Sequence, residues 1–231
     1  MTYWGAMKNR VLKAMNSGSM QLTYGRVMVT GGAGFIGSHT VDALLRSGSK
    51  VWVLDNLSSG SLRNLKQWRH DPKLCFKKGD VTKYKTVRLL ARNVEAIIHL
   101  AAIVSPNLSI RNPELINEVN VTGTLSILRA ACESQVDRVV FASSSSVYGN
   151  PSSTPVSENS GLNPITPYGA SKLAGEKYCK AFHETYGLGT VSLRYFNVYG
   201  ERQRSNPYSG VIAIFVRRTL KGLPAVVYGD G

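Results

Sequence analysis

The chain has 231 residues, 43% of them hydrophobic, and a formal net charge of +14. That length can bury one full core, or one domain and part of a second. No apolar run reaches a membrane span. Three scattered cysteines (Cys75, Cys132, Cys179) form no C-x-x-C pair, which argues against a disulfide framework or a metal site and fits a reducing, cytoplasmic setting.

The charge admits either a nucleic-acid partner or a basic surface that attracts small anions. The basic residues occur in short clusters such as Lys77-Lys78 and Arg217-Arg218. With no arginine-rich tail, the second option is expected, and specific nucleic-acid binding is not. Residues 1–24 carry Lys8, Arg10 and Lys13, no acid, and four methionines. They lack the apolar core of a secretory signal and read as a disordered extension, with Met20 an alternative start.

From Gly25 onward strand and helix signals alternate. Arg26 to Val29 is a strand, followed by T-G-G-A-G-F-I-G (30–37) and an apolar-periodic segment around Val41 to Leu45. Val51 to Leu54 is a second strand ending at Asp55-Asn56, and Leu57 to Arg69 a loop with a short helix. Leu74 to Phe76 is a third strand, Val87 to Arg92 a helix, and Val94 to Leu100 a fourth strand. Pro113 to Glu133 reads as one helix, Arg138 to Phe141 as a fifth strand ending in four serines, and Pro167 to Tyr186 as a long helix. Gly189 to Tyr195 is a sixth strand, Val211 to Leu220 a helix, and Ala225 to Tyr228 a further strand. Such alternation predicts an α/β fold with a parallel, doubly wound sheet of Rossmann type. Functional loops then lie at the carboxyl ends of the strands.

The polar stretches fall at those ends. Gly31, Gly34 and Gly37 let the backbone turn sharply and approach a diphosphate, with the helix start offering free N–H groups. Alone, the spacing also fits an ordinary strand-to-helix turn. Asp55, 18 residues after Gly37 at the second strand's end, can accept hydrogen bonds from both hydroxyls of an adenosine ribose. It would repel a 2′-phosphate, which favours NAD over NADP. Asp80 reads equally as a turn residue or a partner of the adenine amino group. His99, closing an apolar run, reads as a satisfied histidine at a strand end. Tyr168 and Lys172 are four apart on one helical face. A phenol with an ordinary pKa of about 10 becomes a usable base at neutral pH only beside positive charge. The lysine supplies that charge and can hold the nicotinamide ribose. Ser144, in the serine run, can orient the same substrate hydroxyl.

Taken together, T-G-G-A-G-F-I-G-S-H, V-L-D-N-L-S-S-G, G-D-V, H-L-A-A, N-V-T-G-T, S-S-S-S-V-Y-G, P-Y-G-A-S-K, L-R-Y-F-N-V-Y-G and V-Y-G-D-G resemble the extended short-chain dehydrogenase/reductases. Within these the chain is similar to the nucleotide-sugar epimerases and dehydratases, and most similar to UDP-glucose 4-epimerases. The resemblance covers Arg26 to Gly231 and implies epimerisation at C4 of a UDP-hexose through a 4-keto intermediate. It implies Tyr168 as base and acid, Lys172 as its partner and Ser144 as orienting residue. The implied NAD site is Gly31, Gly34, Phe35, Ile36, Gly37, Asp55, Asn56, Asp80, Val81, Leu100, Ala101, Ala102 and Asn120, with Tyr168 and Lys172 also touching the cofactor. Asn197 would meet the substrate diphosphate beside Ser144 and Tyr168. In the dehydratases the two positions after Ser144 resemble Asp-Glu, and in UDP-glucuronate decarboxylases the second is Glu. Here they are Ser145 and Ser146, which cannot do that acid–base work.

The expected domains are 25–195 for NAD and the catalytic residues, and 196–231 as the truncated start of a substrate domain. A homodimer through 113–133 and 167–186 is implied. Two alternatives remain: a UDP-N-acetylhexosamine or other nucleotide-sugar epimerase, and a non-catalytic NAD-binding protein.

Overall fold

The structure, a computed structural model, describes residues 24–151, 153–203 and 211–227. A six-stranded sheet forms the centre. Its strands are β1 (Arg26–Thr30), β2 (Lys50–Asp55), β3 (Leu74–Lys78), β4 (Ala96–His99), β5 (Arg138–Ser144) and β6 (Gly189–Tyr195). All neighbours pair in parallel, in the order β3-β2-β1-β4-β5-β6. The chain winds outward from β1 in one direction, then returns to β1's other side for β4. The cleft that opens between β1 and β4 is where such sheets bind ligands.

Alternation along β1 explains the layering. Val27 and Val29 point to one face and Met28 to the other, following the two-residue period of a strand. The first face packs with Val51 and Val53 against α1 (Phe35–Arg46) and the 3-10 helix Leu62–Trp68. The second packs Met28, Ile97, Val139 and Phe141 against α2 (Tyr84–Ala91), α5 (Gly123–Glu133) and α6 (Pro167–Tyr186). Thr166 caps α6 by accepting from the Gly169 N–H, Pro167 opens its first turn, and Gly187 closes it at φ +70°.

Two expectations need correction. The segment 113–133 is not one α-helix: α4 (Pro113–Ile116) runs into a π-helical stretch, Asn117–Thr122, before α5 begins. The wider turn brings Asn120 inward, where its side chain is bonded on all sides. A further helix, α3 (Pro106–Arg111), precedes it; Ser105 caps it, and Pro106 sits at its first position. Ala225 to Val227 is not a strand, because no neighbouring strand offers it a ladder among the described residues; Tyr228 lies outside them. The extension expected at 1–24 also lies outside, except for Tyr24. The helix expected at 211–220 is present as α7 (Val211–Leu220).

Candidate active site

A cleft of about 820 Å³ runs along the carboxyl ends of the strands, a size that suits a cofactor-sized ligand. Its floor is the glycine turn between β1 and α1. Gly31 has φ +70°, and a Cβ there would lie 2.9 Å from the Ala101 nitrogen. A Cβ at Gly37 would overlap the Gly31 carbonyl oxygen. Only glycine lets β1, the turn and the strand end after β4 meet this closely. The first turn of α1 carries no acid and no side-chain cap, so its N–H groups are free for an anion. Phe35 and Ile36 line the cleft there, with Gly34 and Gly37.

Asp55 closes the adenosine end. One carboxylate oxygen accepts from the Ala33 N–H at 2.9 Å and the other from the Leu57 N–H at 2.7 Å. Each keeps a lone pair for a hydroxyl donor. Asn56 donates to Asp80 at 2.8 Å, and Asp80 also accepts from the Thr82 N–H and hydroxyl. Burial works against the Asp80 carboxylate, but these hydrogen bonds and the Lys83 charge outweigh it and hold its pKa below the usual value. Asp80 is thus a turn residue whose side chain also borders the cleft with Val81. The glycine cradle and the open face of Asp55 fit the diphosphate and ribose of NAD.

Leu100, Ala101 and Ala102 form the middle of the wall. Behind them stands His99, and its tautomer follows from its partners. Thr124 Oγ1 donates its one proton to the Asn120 carbonyl at 2.6 Å, so at 3.1 Å it must accept from His99 Nε2. Nδ1 is then an acceptor, and Thr30 Oγ1 donates to it at 2.7 Å while itself accepting from the Ala101 N–H. Burial, with the Lys172 charge, pushes the imidazole down to about 3. His99 is the satisfied, neutral strand-end histidine the sequence suggests.

Asn120 was expected on the cofactor. The structure instead places it behind the wall: its amide spans the Ile103 N–H and carbonyl at 2.8 and 3.2 Å and donates to Ser171 Oγ at 3.0 Å. Ser171 in turn donates to the Tyr168 carbonyl. The hydrogen bonds of Asn120 run to Ile103 and α6, and it is not among the residues that line the cleft.

Tyr168, Lys172 and Ser144 meet at the other end of the cleft. Tyr168 is 5% exposed and Lys172 4%. Burial raises the phenol's pKa, and a hydrogen bond from Ser144 draws it back. Burial pushes Lys172 down to about 8. Its Nζ donates to the Ala142 carbonyl at 2.9 Å and lies 5.1 Å from the centre of the Phe141 ring. Two N–H bonds remain for the cleft. Ser144 Oγ is 3.1 Å from Ser146 Oγ, so two oxygens compete for one serine proton. Asn197, just past β6, also lines the cleft.

Sequence reasoning missed two groups. Asn64 and Ser61 close the wall near Ala33, with Asn64 donating to the Ala33 carbonyl at 2.8 Å. Arg202 reaches the cleft from beyond β6. Glu176 on α6 fixes the far side through a two-pronged pair with Arg194 at 2.9 Å, and Arg194 also donates to Tyr148 Oη. Among the described residues no group of three or more His, Cys, Asp or Glu could hold a metal ion, and no helix is long and apolar enough to cross a membrane.

The same architecture recurs in known proteins. A UDP-glucose 4-epimerase from Mycolicibacterium smegmatis is 42% identical over 208 residues, 89% of this chain and 66% of the relative. A UDP-N-acetylglucosamine 4-epimerase from Methanobrevibacter ruminantium, solved with UDP-N-acetylmuramic acid, superposes with a TM-score of 0.86 at 41% identity, over 91% of this chain and 67% of that one. A dTDP-glucose 4,6-dehydratase from Streptomyces venezuelae, solved with NAD, gives 0.79 at 39% identity, over 89% and 65%. The chain spans 52–66% of the length of curated relatives it matches. Its residues 27–231 match one family pattern, and the chain belongs to the NAD dependent epimerase/dehydratase family.

Proposed function

We propose that this chain is the cofactor-binding and catalytic part of an NAD-dependent UDP-hexose 4-epimerase, interconverting UDP-glucose and UDP-galactose. The observation that carries this reading is the buried Tyr168–Lys172 pair beside Ser144, at the end of a cleft whose other end suits NAD. Ser144 hydrogen-bonds the sugar's 4-hydroxyl and holds it against Tyr168. The Tyr168 phenolate takes that proton, and the Lys172 ammonium stabilises the phenolate while it is charged. NAD, when bound, reversibly accepts hydride from C4 of the sugar. Tyr168 then returns its proton to the oxygen once the 4-keto sugar presents its other face. Loss and return of one proton and one hydride leave the sugar changed only at C4. Asn197 meets the diphosphate.

Ser145 and Ser146 separate this chemistry from dehydration, although a dehydratase is among the relatives. Neither hydroxyl has the acidity to expel water from a keto sugar. Residues 25–195 form the cofactor domain and 196–231 open the substrate domain. The protein works in the cytoplasm as a homodimer. The likeness to the Methanobrevibacter enzyme favours a second reading, in which the substrate is a UDP-N-acetylhexosamine.

The test is to incubate the purified chain with NAD and, separately, with UDP-galactose and UDP-N-acetylgalactosamine. Appearance of the 4-epimer supports the proposal, and the preferred substrate selects between the readings. Tight NAD binding without turnover would instead make the chain a non-catalytic NAD-binding protein. Failure to bind NAD at all would sink both.

A further inference from the structure

Asp42 lies on the inner face of α1, 3% exposed. Its Oδ1 accepts from Gln67 Nε2 and Trp68 Nε1, both at 2.7 Å. Its Oδ2 accepts from Arg202 Nη2 at 2.7 Å, an ion pair between residues 160 apart. One carboxylate therefore joins three pieces of chain. These are the helix that follows the glycine turn, the 3-10 helix that places Asn64 on the cleft wall, and the segment 196–203 that leaves β6.

That segment runs along the cleft, lined there by Phe196, Asn197, Val198 and Arg202. It is pinned to α1 at three successive residues. Gly200 packs against the Phe35 ring, where a Cβ would sit 3.7 Å away. The Glu201 carbonyl accepts from His39 Nε2 at 2.9 Å. Arg202 reaches Asp42. The backbone at Arg202 has φ +66°, a left-handed conformation that is unfavourable for a residue with a Cβ and persists only where contacts impose it. Its Nη1 is enclosed with no hydrogen-bond partner among the described residues, and Asp42 is the carboxylate paired with this largely buried guanidinium.

We propose that the Asp42–Arg202 pair is a latch that holds segment 196–203 across the cofactor cleft and sets how slowly the cofactor leaves. The inference rests on the reading of the cleft as an NAD site. A cofactor that takes and returns the same hydride within one turnover has no need to exchange. A pair that served stability alone could join any two surfaces; this one joins the glycine-turn helix to a segment bordering the cleft. Asp42 and Arg202 are positioning residues.

The chain is loaded with NAD, and its dissociation is followed after dilution for the parent, Arg202→Met, Asp42→Asn, the double variant and Arg202→Lys. Loss of one partner of a buried charge pair acts mainly on the off-rate. Arg202→Met and Asp42→Asn should each speed release by about tenfold, with association within about twofold of the parent. The double variant should be no faster than the faster single, and Arg202→Lys should recover part of the loss. Limited proteolysis of the cofactor-free chain should cut faster within 196–203 in both singles, while cleavage elsewhere keeps the parent's rate. Arg202→Met leaves Gln67 and Trp68 on Asp42, so it remains informative if Asp42→Asn fails to fold. An Arg202→Met chain with the parent's off-rate and the parent's cleavage rate at 196–203 overturns the latch, as does a double variant whose rate is the product of the singles. If the parent binds no NAD, the functional reading fails, and the proteolysis still decides whether the pair holds the segment.

Discussion

At the residue scale, the proposed chemistry rests on two groups that burial pushes away from their useful charge states. Tyr168 is held above its ordinary pKa and Lys172 below its own. The site becomes basic only when positive charge offsets the desolvation of the phenolate, which ties the base to the occupied cleft. A Tyr168→Phe chain should lose about 10²–10⁴ in turnover while retaining NAD; unchanged turnover removes Tyr168 as the base. Lys172 gives a second test. Its folded pKa of about 8 lies below the unfolded value of 10.5, so the unfolded chain binds more protons between them and stability rises with pH there. Below about pH 8 the buried cation destabilises the fold by about 3 kcal/mol, partly offset by about 1 kcal/mol from its bond to Ala142. Lys172→Met should therefore be more stable than the parent at pH 7, and that advantage should shrink between pH 8 and 10, read by chemical denaturation. A pH-independent gap contradicts the burial argument. These two residues were legible because Y-x-x-x-K puts both on one helical face. The inward turn of Asn120 onto Ile103 and Ser171 was not legible, because a π turn leaves no mark in a helical pattern. Arg202 carried no local signal: its partner is 160 residues away.

At the element scale, the strands were the most legible part, because each is a short apolar run ending in polar residues. Their ends shifted by up to three residues, as when the third strand extends through Lys77 and Lys78, whose charges hide edge pairing from a hydrophobicity reading. The expected strand beginning at Ala225, absent over 225–227, shows the converse: an apolar, β-branched run satisfies the pattern, yet a strand also needs a neighbour. The link between α6 and β5 matters most for the site. A Cβ at Gly175 would overlap the Phe141 ring, and that ring lies near Lys172 Nζ. Helix and sheet therefore meet closely where Lys172 stands. Gly175→Ala should cost about 1–3 kcal/mol through overpacking, measured by denaturation. It should also lower turnover more than its loss of folded population explains, because Phe141 cannot yield without moving Lys172. A chain with normal stability and rate would show that the contact gives way freely.

At the scale of the whole molecule, positive charge concentrates in one stretch of sequence that includes the edge strand of the sheet. Residues 61–93 hold ten basic residues and two acids, against a net +14 for the chain. All ten basic side chains are exposed. Arg63, Lys66 and Arg69 recur every three residues, which aligns them along the 3-10 helix or its cap; Lys85, Arg88 and Arg92 share a face of α2 or its end. Asp71 and Asp80 accept from nearby backbone N–H groups. These rows flank β3, the edge strand beside β2, whose end carries Asp55. Arg88 is paired with Glu133 at 2.9 Å, but Lys78 stands in register beside Asp55, so net positive charge borders the Asp55 end of the cleft. Lysines on an edge strand also discourage edge-to-edge pairing, but that role does not explain the rows on the neighbouring helices. A field of this kind accelerates encounter with an anion and does little once the anion is seated. Charge reversal at Arg63 and Lys66 should slow NAD association by about three- to tenfold at roughly 10 mM ionic strength, where the screening length is about 30 Å. It should leave dissociation within about twofold, and the difference should vanish near 1 M salt, where that length is about 3 Å. Stopped-flow binding across a salt series separates the two rates. A slowed dissociation, or an effect that survives high salt, would place these residues in contact with the cofactor rather than in its approach path. That outcome would move the adenosine end of the site from Asp55 outward onto the 3-10 helix.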